Sequence, residues 1–336
     1  MSTQDNLLSR SNNNLETVEK EMGKRHGTRY RNYRNQYEAA GEFLYEPDFP
    51  LYLMLEQTFK CNLTCPSCIH GTPAKENKKQ FKLDTSIMPL SIVKKIVEEG
   101  AENVCPSIAF HVNDEPLLVK DLADRVAYAN QLGFMDIFVT TNGQLLTKDK
   151  AIDLIEAGVT RFLFSIDAAS PETYKLTRPG GNFELVMDNL NFLLDYRKAN
   201  NLIIPSVRVS FVLSRLNYHE RQMFIDKFSN HVDYVEIQGF SAYYDTNLDL
   251  IPLGASHIQD FSCNEPWRKA IIRPNGDVLP CCSFYGYEIV VGNILESTIK
   301  EIFNNEEYKR IRYETKNATY TQPACRACVD SFYVVR

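Results

Sequence analysis

Long apolar runs are missing from this 336-residue chain: stretches such as Phe162-Leu-Phe and Phe211-Val-Leu fall far short of the roughly 20 residues a membrane-spanning helix needs. No apolar secretory signal is evident, and the nine cysteines are an odd number, so a secreted disulfide framework is not expected. Reduced thiols in a cytoplasmic setting are the expectation. An excess of positive charge is lacking too, because a formal net charge of −6 argues against a surface that coats nucleic acid. What is present is a globular composition, 44% hydrophobic, in a chain long enough for two domains.

Three cysteines are the most informative residues. Cys61, Cys65 and Cys68 lie in the run Cys-Asn-Leu-Thr-Cys-Pro-Ser-Cys, directly after Leu51-Tyr-Leu-Met-Leu-Glu-Gln-Thr, which reads as a buried strand. Three thiolates are one ligand short of a closed four-iron site, so in a [4Fe–4S] cube one iron stays open to bind something else. Zinc is the competing occupant, with His70 as a fourth ligand, although structural zinc favours paired Cys-x2-Cys units. The Cys-x3-Cys-x2-Cys spacing on a loop after a first strand resembles the signature of the radical S-adenosylmethionine (radical SAM) superfamily. The resemblance implies that the methionyl amine and carboxylate of S-adenosylmethionine chelate the fourth iron. It also implies that reductive cleavage there yields a 5′-deoxyadenosyl radical. The family usually has an aromatic residue before the third cysteine; this chain has Ser67, so adenine packing must come from elsewhere.

Apart from Cys105, the other cysteines fall in the last quarter: Cys263, Cys281, Cys282, Cys325 and Cys328. Between the first two, Arg268-Lys-Ala-Ile-Ile-Arg-Pro-Asn-Gly-Asp-Val-Leu-Pro reads as two short strands around a turn, with Gly276 free to take positive φ. Such a hairpin carries Cys281 back toward Cys263. A zinc ribbon also suits this half taken alone. The order Cys263-x12-Gly276-x4-Cys281, a gap, then Cys325-x2-Cys328 resembles the SPASM and twitch auxiliary-cluster domains that follow the barrel in many radical SAM enzymes. With one Cys-x2-Cys unit after the gap, the chain is similar to the single-cluster form. The resemblance implies a closed auxiliary [4Fe–4S] cluster on Cys263, Cys281, Cys325 and Cys328.

Strand-like runs at 51–57, 107–112, 136–141, 161–166, 206–213 and 232–238 are almost continuously apolar and β-branched, a pattern expected of strands buried on both faces. Helices fill the gaps. Phe183, Val186, Met187, Leu190, Leu193 and Leu194 share one helical face; a second helix is expected from about Ser91 to Glu99, stopped by Gly100, and a third from a Thr147 cap to Ala157, stopped by Gly158. Repeated strand–helix units imply an α/β fold with a parallel sheet, and six of them fit the partial (β/α)6 barrel of the superfamily as well as a doubly wound sheet. Residues 1–47 form a polar, basic extension whose first dozen residues are expected to be disordered. Its Lys20, Lys24, Arg25, Arg29, Arg31 and Arg34, interleaved with Tyr30, Tyr33 and Tyr37, suit a solvated helix lying across the barrel, or a grip on a phosphate or a partner protein.

Active groups of a parallel barrel gather after the carboxyl ends of its strands. There this chain has the cysteine loop, then His111-Val-Asn-Asp-Glu-Pro, Thr140-Thr-Asn-Gly and Ser165-Ile-Asp-Ala. The resemblance implies that Asn113, Asp114 and Glu115, standing where the family has Gly-Gly-Glu before Pro116, receive the methionyl amine. Neither glycine is kept, but carbonyls and carboxylates can accept from an ammonium without them. Ser165 and Asp167 resemble family positions near the ribose and methionyl groups, while Thr141, Asn142 and Arg208 are further cofactor candidates. Each has a plain structural alternative: a turn for Asn113, Asp114, Thr141 and Asn142, a cap for Asp167 on the Ser170-Pro-Glu helix start, and a rim salt bridge for Arg208. The stretch from Ser165 to Arg178-Pro-Gly-Gly also resembles SPASM-type members. Cys282 and Cys105, unassigned to a cluster, are candidate hydrogen-atom donors of the kind family epimerases use, or simply buried thiols.

The expected organisation is therefore an extension at 1–47, a radical SAM barrel at 48–240, a tyrosine-rich bridge at 241–262 and an auxiliary iron–sulfur domain at 263–336. Tyr243, Tyr244, Tyr285 and Tyr287 are candidate pocket residues. The expected activity is dehydrogenation or epimerisation at a carbinol carbon of a sugar, aminocyclitol or nucleotide sugar, with a flavodoxin or ferredoxin as electron donor. Peptide modification is the alternative within the family. A non-enzymatic zinc-stabilised binding protein is the alternative outside it. Neither a membrane nor a nucleic acid is an expected partner.

Overall fold

Side-chain alternation along the strands decides how this molecule is layered. The computed structural model describes residues 8–12, 14–71, 85–242, 247–258 and 261–335. Its main sheet contains β1 (Leu8–Asn12), β2 (Tyr52–Leu55), β3 (Ser107–Ala109), β4 (Asp136–Thr141), β5 (Arg161–Ser165), β6 (Ser206–Val212) and β7 (Tyr234–Gln238). Strands β2 to β7 lie side by side in sequence order and all run parallel, so the six expected runs form one curved α/β sheet. Leu53, Ile108, Ile137, Phe162, Val209 and Ile237 point outward into one buried cluster with Val93, Val126, Leu154 and Leu190 of the covering helices. Burying each such side chain stabilises the fold by roughly 1.5–3 kcal/mol.

The opposite faces of the same strands are not uniformly apolar, which corrects the sequence reading. Tyr52, Met54 and Ala109 form a smaller inner cluster. By alternation Thr140, Ser165, Arg208, Ser210, Glu236 and Gln238 share that inner side. A short polar residue between two apolar ones is easily lost in a β-branched run, yet it sets what the barrel interior can bind.

Leu90–Glu102 continues through Gly100 rather than stopping there. A Cβ on Gly100 would approach the Phe134 ring to 2.7 Å, so glycine is present for close packing against the sheet, not to end the helix. Thr147 does cap Lys148–Ala157, accepting from the Lys150 amide, and Gly158 ends that helix at φ 109°. Among the described residues no helix is long and apolar enough to cross a membrane.

The amino-terminal extension is more ordered than expected. Residues 8–12 form β1, antiparallel to β7 at the sheet edge. Helices Leu15–His26 and Thr28–Gly41 lie against the amino ends of the strands with Tyr30 and Tyr33 buried. The Tyr30 hydroxyl accepts from Arg161 at 2.9 Å, and Arg34 stacks 5.4 Å from the Tyr37 ring centroid. The tyrosine face packs under the barrel, while Lys20, Lys24, Arg25, Arg29 and Arg31 stay exposed, the pattern of a helix lying across the barrel with one solvated side.

The expected carboxyl-terminal hairpin forms around Gly276. After the short β8 (Phe240–Ser241) and β9 (Ser256–His257), β10 (Lys269–Ile272) turns through Gly276, φ 88°, into antiparallel β11 (Asp277–Leu279). Strand β10 also pairs parallel with β2, Lys269 opposite Tyr52 and Ile272 opposite Leu55. The auxiliary half thereby extends the barrel sheet and adds β12 (Gly292–Asn293) at its edge, while β13 (Phe332–Val334) joins β8 and β9 in a separate three-stranded sheet.

Candidate active site

The cysteine loop leaves β2 at the carboxyl end of the sheet, where parallel barrels place their chemistry. Tight backbone turns hold it: the Cys68 amide donates to the Cys65 carbonyl at 3.0 Å and the Gly71 amide to the Cys68 carbonyl at 2.8 Å. A Cβ on Gly71 would lie 2.3 Å from the Cys65 carbonyl oxygen, so only glycine closes this loop. The Cys61 and Cys65 thiols are each pushed up to about 11, burial first; Cys65 also raises Cys61, and Cys68 raises Cys65. Iron binding would therefore displace protons from these sulfurs.

Glu115 organises the loops around them. It is almost fully buried, its Oε1 accepting from the Thr141 hydroxyl at 2.7 Å and the Leu117 amide at 3.2 Å, and its Oε2 from the Asn142 amide at 2.8 Å. Thr141 and Asn142 thus join the loop after β3 to the loop after β4, and the Asn142 side chain lies 3.7 Å from Cys61 Sγ. Asp114 accepts from the Val112 amide at 2.8 Å and the Gln57 amide at 3.1 Å. Asn113 offers its carbonyl to the His70 ring at 2.6 Å, and its Nδ2 donates to Tyr287 at 3.2 Å and to the Cys282 carbonyl at 3.3 Å. This packed network gathers Asn113, Asp114, Glu115, Thr141 and Asn142 beside the cysteine loop, which the Asn142 side chain reaches directly, and the Asn113 side chain ties it to Cys282 and Tyr287.

Ser165 ends β5 half-buried on the inner side. Asp167 does not cap the following helix: Ser170 does, accepting from the Thr173 amide. Asp167 instead has φ 59°, and it pairs with Arg178 at 2.6 Å. Beside it a shallow cleft is lined by Pro66, Ser67, Thr177, Val212, Leu216 and Asn217. Arg208 pairs with Glu236 of the neighbouring strand at 3.2 Å on the inner wall. His111 accepts from the Thr140 amide at 3.1 Å; burial, then the charges of Arg208 and Lys269, lower it to about 3 and keep it neutral.

Cys263, Cys325 and Cys328 lie near enough to Cys281 to act on its charge. Cys281 is raised well above an ordinary thiol, by burial and then by Cys328 and Cys263, with Cys325 contributing less. Cys325 and Cys328 lie on Pro323–Val329, and Ser283 Oγ is 3.3 Å from Cys328 Sγ. A Cβ on Gly286 would sit 2.8 Å from Cys281 Sγ, leaving room there only for glycine. Among the described residues no three Cys, His, Asp or Glu side chains converge on a single metal-ion position.

The two unassigned cysteines separate sharply. Cys105 is buried at the amino end of β3, its Sγ donating to the Pro50 carbonyl at 3.1 Å, and the structure does not bring it to the site. Cys282 packs against the inner cluster and lies 3.6 Å from Glu265 Oε2. Burial, then Glu265, push its thiol up to about 11. Tyr285 and Tyr287 are both buried, while Tyr243 and Tyr244 lie outside the described residues.

Sequence reasoning missed Glu56, Lys269 and the roles of Glu236 and Arg178. Glu56 is fully buried beneath the site and takes the Tyr287 hydroxyl; burial pushes its carboxyl up to about 7 despite Arg273 at 3.6 Å. Its place directly after an apolar run, five residues before Cys61, was the available signal.

Comparison with known proteins agrees with this arrangement. The profile of the Radical SAM superfamily matches residues 55–228, more than half of the chain, and that of the SPASM iron-sulfur cluster-binding domain matches 263–329. A tungsten-containing aldehyde ferredoxin oxidoreductase cofactor-modifying protein of Pyrococcus furiosus is 26% identical over 322 residues, covering 82% of this chain and 86% of its own. Among solved structures, BtrN in complex with AdoMet and 2-DOIA has a TM-score of 0.51 at 20% identity, covering 79% of this chain and 86% of its own. SuiB of Streptococcus suis bound to S-adenosylmethionine has a TM-score of 0.59 at 16% identity, covering 94% and 81%. The two domains imply [4Fe–4S] clusters and S-adenosylmethionine as cofactors, which the two cysteine groups and their fitted glycines suit. The chain belongs to the radical SAM superfamily and carries a carboxyl-terminal SPASM domain.

Proposed function

We propose that this enzyme abstracts a hydrogen atom from a carbinol carbon of a small, polar, carbohydrate-like substrate held inside the barrel, and inverts or oxidises that carbon. Cys61, Cys65 and Cys68 would hold the cluster with the open iron, and Cys263, Cys281, Cys325 and Cys328 the closed auxiliary cluster. When bound, S-adenosylmethionine and the reduced first cluster supply the 5′-deoxyadenosyl radical that takes the hydrogen atom. The loops bearing Asn113, Asp114, Glu115, Thr141 and Asn142, with Ser165 and Asp167, would shape the cofactor site. Pro66, Val212 and Leu216 line the narrow cleft beside Ser67, which would have to widen to admit adenine.

The observation that carries the reading is the polar inner wall. Arg208 paired with Glu236, the neutral His111 and half-buried Ser165 and Gln238 present both donors and acceptors without a large net charge. Hydroxyl groups of a small polyol match such a surface. Cys282, packed against the inner cluster, is the thiol that inversion would use to return a hydrogen atom. BtrN was solved with 2-DOIA, and SuiB also with precursor peptide SuiA, so the test includes both sugars and peptides.

Reconstituted enzyme is incubated in D2O with S-adenosylmethionine, a reductant and these two panels, and 5′-deoxyadenosine and product mass are read. Inversion predicts product carrying one deuterium at the inverted carbon. Cys282→Ala should then abolish inversion while cofactor cleavage continues. Product two mass units lighter, with normal activity in Cys282→Ala, would remove inversion and leave dehydrogenation. Stimulation of 5′-deoxyadenosine by peptides alone would overturn the substrate class.

A further inference from the structure

Arg178 is buried, and all three of its described hydrogen bonds point into the site. Its Nε donates to the Ile166 carbonyl at 3.2 Å, its Nη2 to Asp167 Oδ2 at 2.6 Å, and its Nη1 to Cys65 Sγ at 3.8 Å. Asp167 is itself immobilised: its Oδ1 accepts from the Val212 amide at 2.7 Å and its carbonyl from Asn217 Nδ2 at 2.9 Å. Its left-handed backbone, φ 59°, is an uncommon conformation for a residue with a Cβ and turns the carboxylate toward Arg178. The result is a cation fixed by two adjacent residues of the loop after β5, with one arm of its fork directed at a sulfur of the cysteine triplet. Cys61 has a neutral neighbour instead, Asn142 Nδ2 at 3.7 Å.

A hydrogen-bond donor at a cluster sulfur lowers the energy of the state with more negative charge, and a charged donor in a buried site does so more strongly than an amide. Adding one electron to a cluster raises the negative charge on its thiolates. We propose that Arg178, aimed by Asp167 as its positioning residue, sets the reduction potential of the cluster on Cys61, Cys65 and Cys68 by stabilising its reduced form through Cys65. The inference rests on the cluster assignment above. It gives Asp167 a task other than contact with the cofactor: holding the guanidinium in line.

The test is an EPR-monitored redox titration of the reconstituted holoenzyme without S-adenosylmethionine, comparing wild type, Arg178→Gln and Arg178→Lys. Both clusters are followed, so the auxiliary cluster is an internal control. Arg178→Gln should move the first cluster to a more negative midpoint by about tenfold in the reduction equilibrium, 59 mV for a one-electron couple. The auxiliary midpoint should not move. Arg178→Lys, which keeps the charge but not the planar fork, should fall between the two and serves as the readout if the glutamine variant does not fold. An unchanged first-cluster midpoint in both variants, or an equal shift in both clusters, overturns the inference while leaving the cluster assignment intact. Absence of a first-cluster signal in the wild type would overturn the assignment and the inference together.

Discussion

Replacing Cys61, Cys65 and Cys68 together by alanine is expected to remove about half of the bound iron and sulfide and all cleavage of S-adenosylmethionine, because one of two four-iron cubes is lost and only that cube has an open iron. The protein should remain soluble. The loop that bears these residues leaves the sheet after β2, whereas the sheet is held by β2–β3 and β2–β10 pairing and by an outer cluster that contains none of the three. Iron, sulfide and 5′-deoxyadenosine measured on the same preparation check this. Residual 5′-deoxyadenosine in the triple variant would show that the cofactor is activated elsewhere.

Loss of Cys325 and Cys328 should act in the opposite way, on the fold before the chemistry. The short helix Pro323–Val329 that bears them lies against Phe284–Glu288, with Ser283 beside Cys328, and the β13 pairing follows it. A segment this small depends on its cluster for stability, so removing half of the ligands should cut the soluble yield by about tenfold or more. Whatever remains soluble should still cleave S-adenosylmethionine slowly without turning over substrate. Full turnover by the Cys325→Ala, Cys328→Ala protein would make the auxiliary domain dispensable for chemistry.

Both cysteine groups and all six parallel strands were legible in the sequence, because ligand spacing and apolar periodicity are local properties. The hairpin through Gly276 was legible for the same reason. Less visible was anything decided between distant segments. Nothing near Lys269 announces that β10 will pair with β2, more than 200 positions earlier in the chain; a four-residue apolar strand fits many partners. Gly100 looked like a helix stop, since the Phe134 ring that demands its missing Cβ is remote in sequence. Asp167 looked like a helix cap because the competing partner, Arg178, is reached only after the chain folds back. The inner wall was read as apolar because single residues such as Glu236 vanish in hydrophobic runs; Arg208 stood out, but its partner across the strands shows only in three dimensions.

The central claim is that one cysteine group holds a cluster open to S-adenosylmethionine and the other holds a cluster closed to it. EPR spectra of the reduced wild-type protein, recorded before and after adding S-adenosylmethionine, test it most directly. The account predicts two overlapping [4Fe–4S] signals, of which one changes its g-values on addition and the other does not; the responsive signal should be the one missing from the Cys61, Cys65, Cys68 triple variant. Two signals that both ignore the cofactor, or a colourless protein with zinc in both cysteine groups, would contradict it.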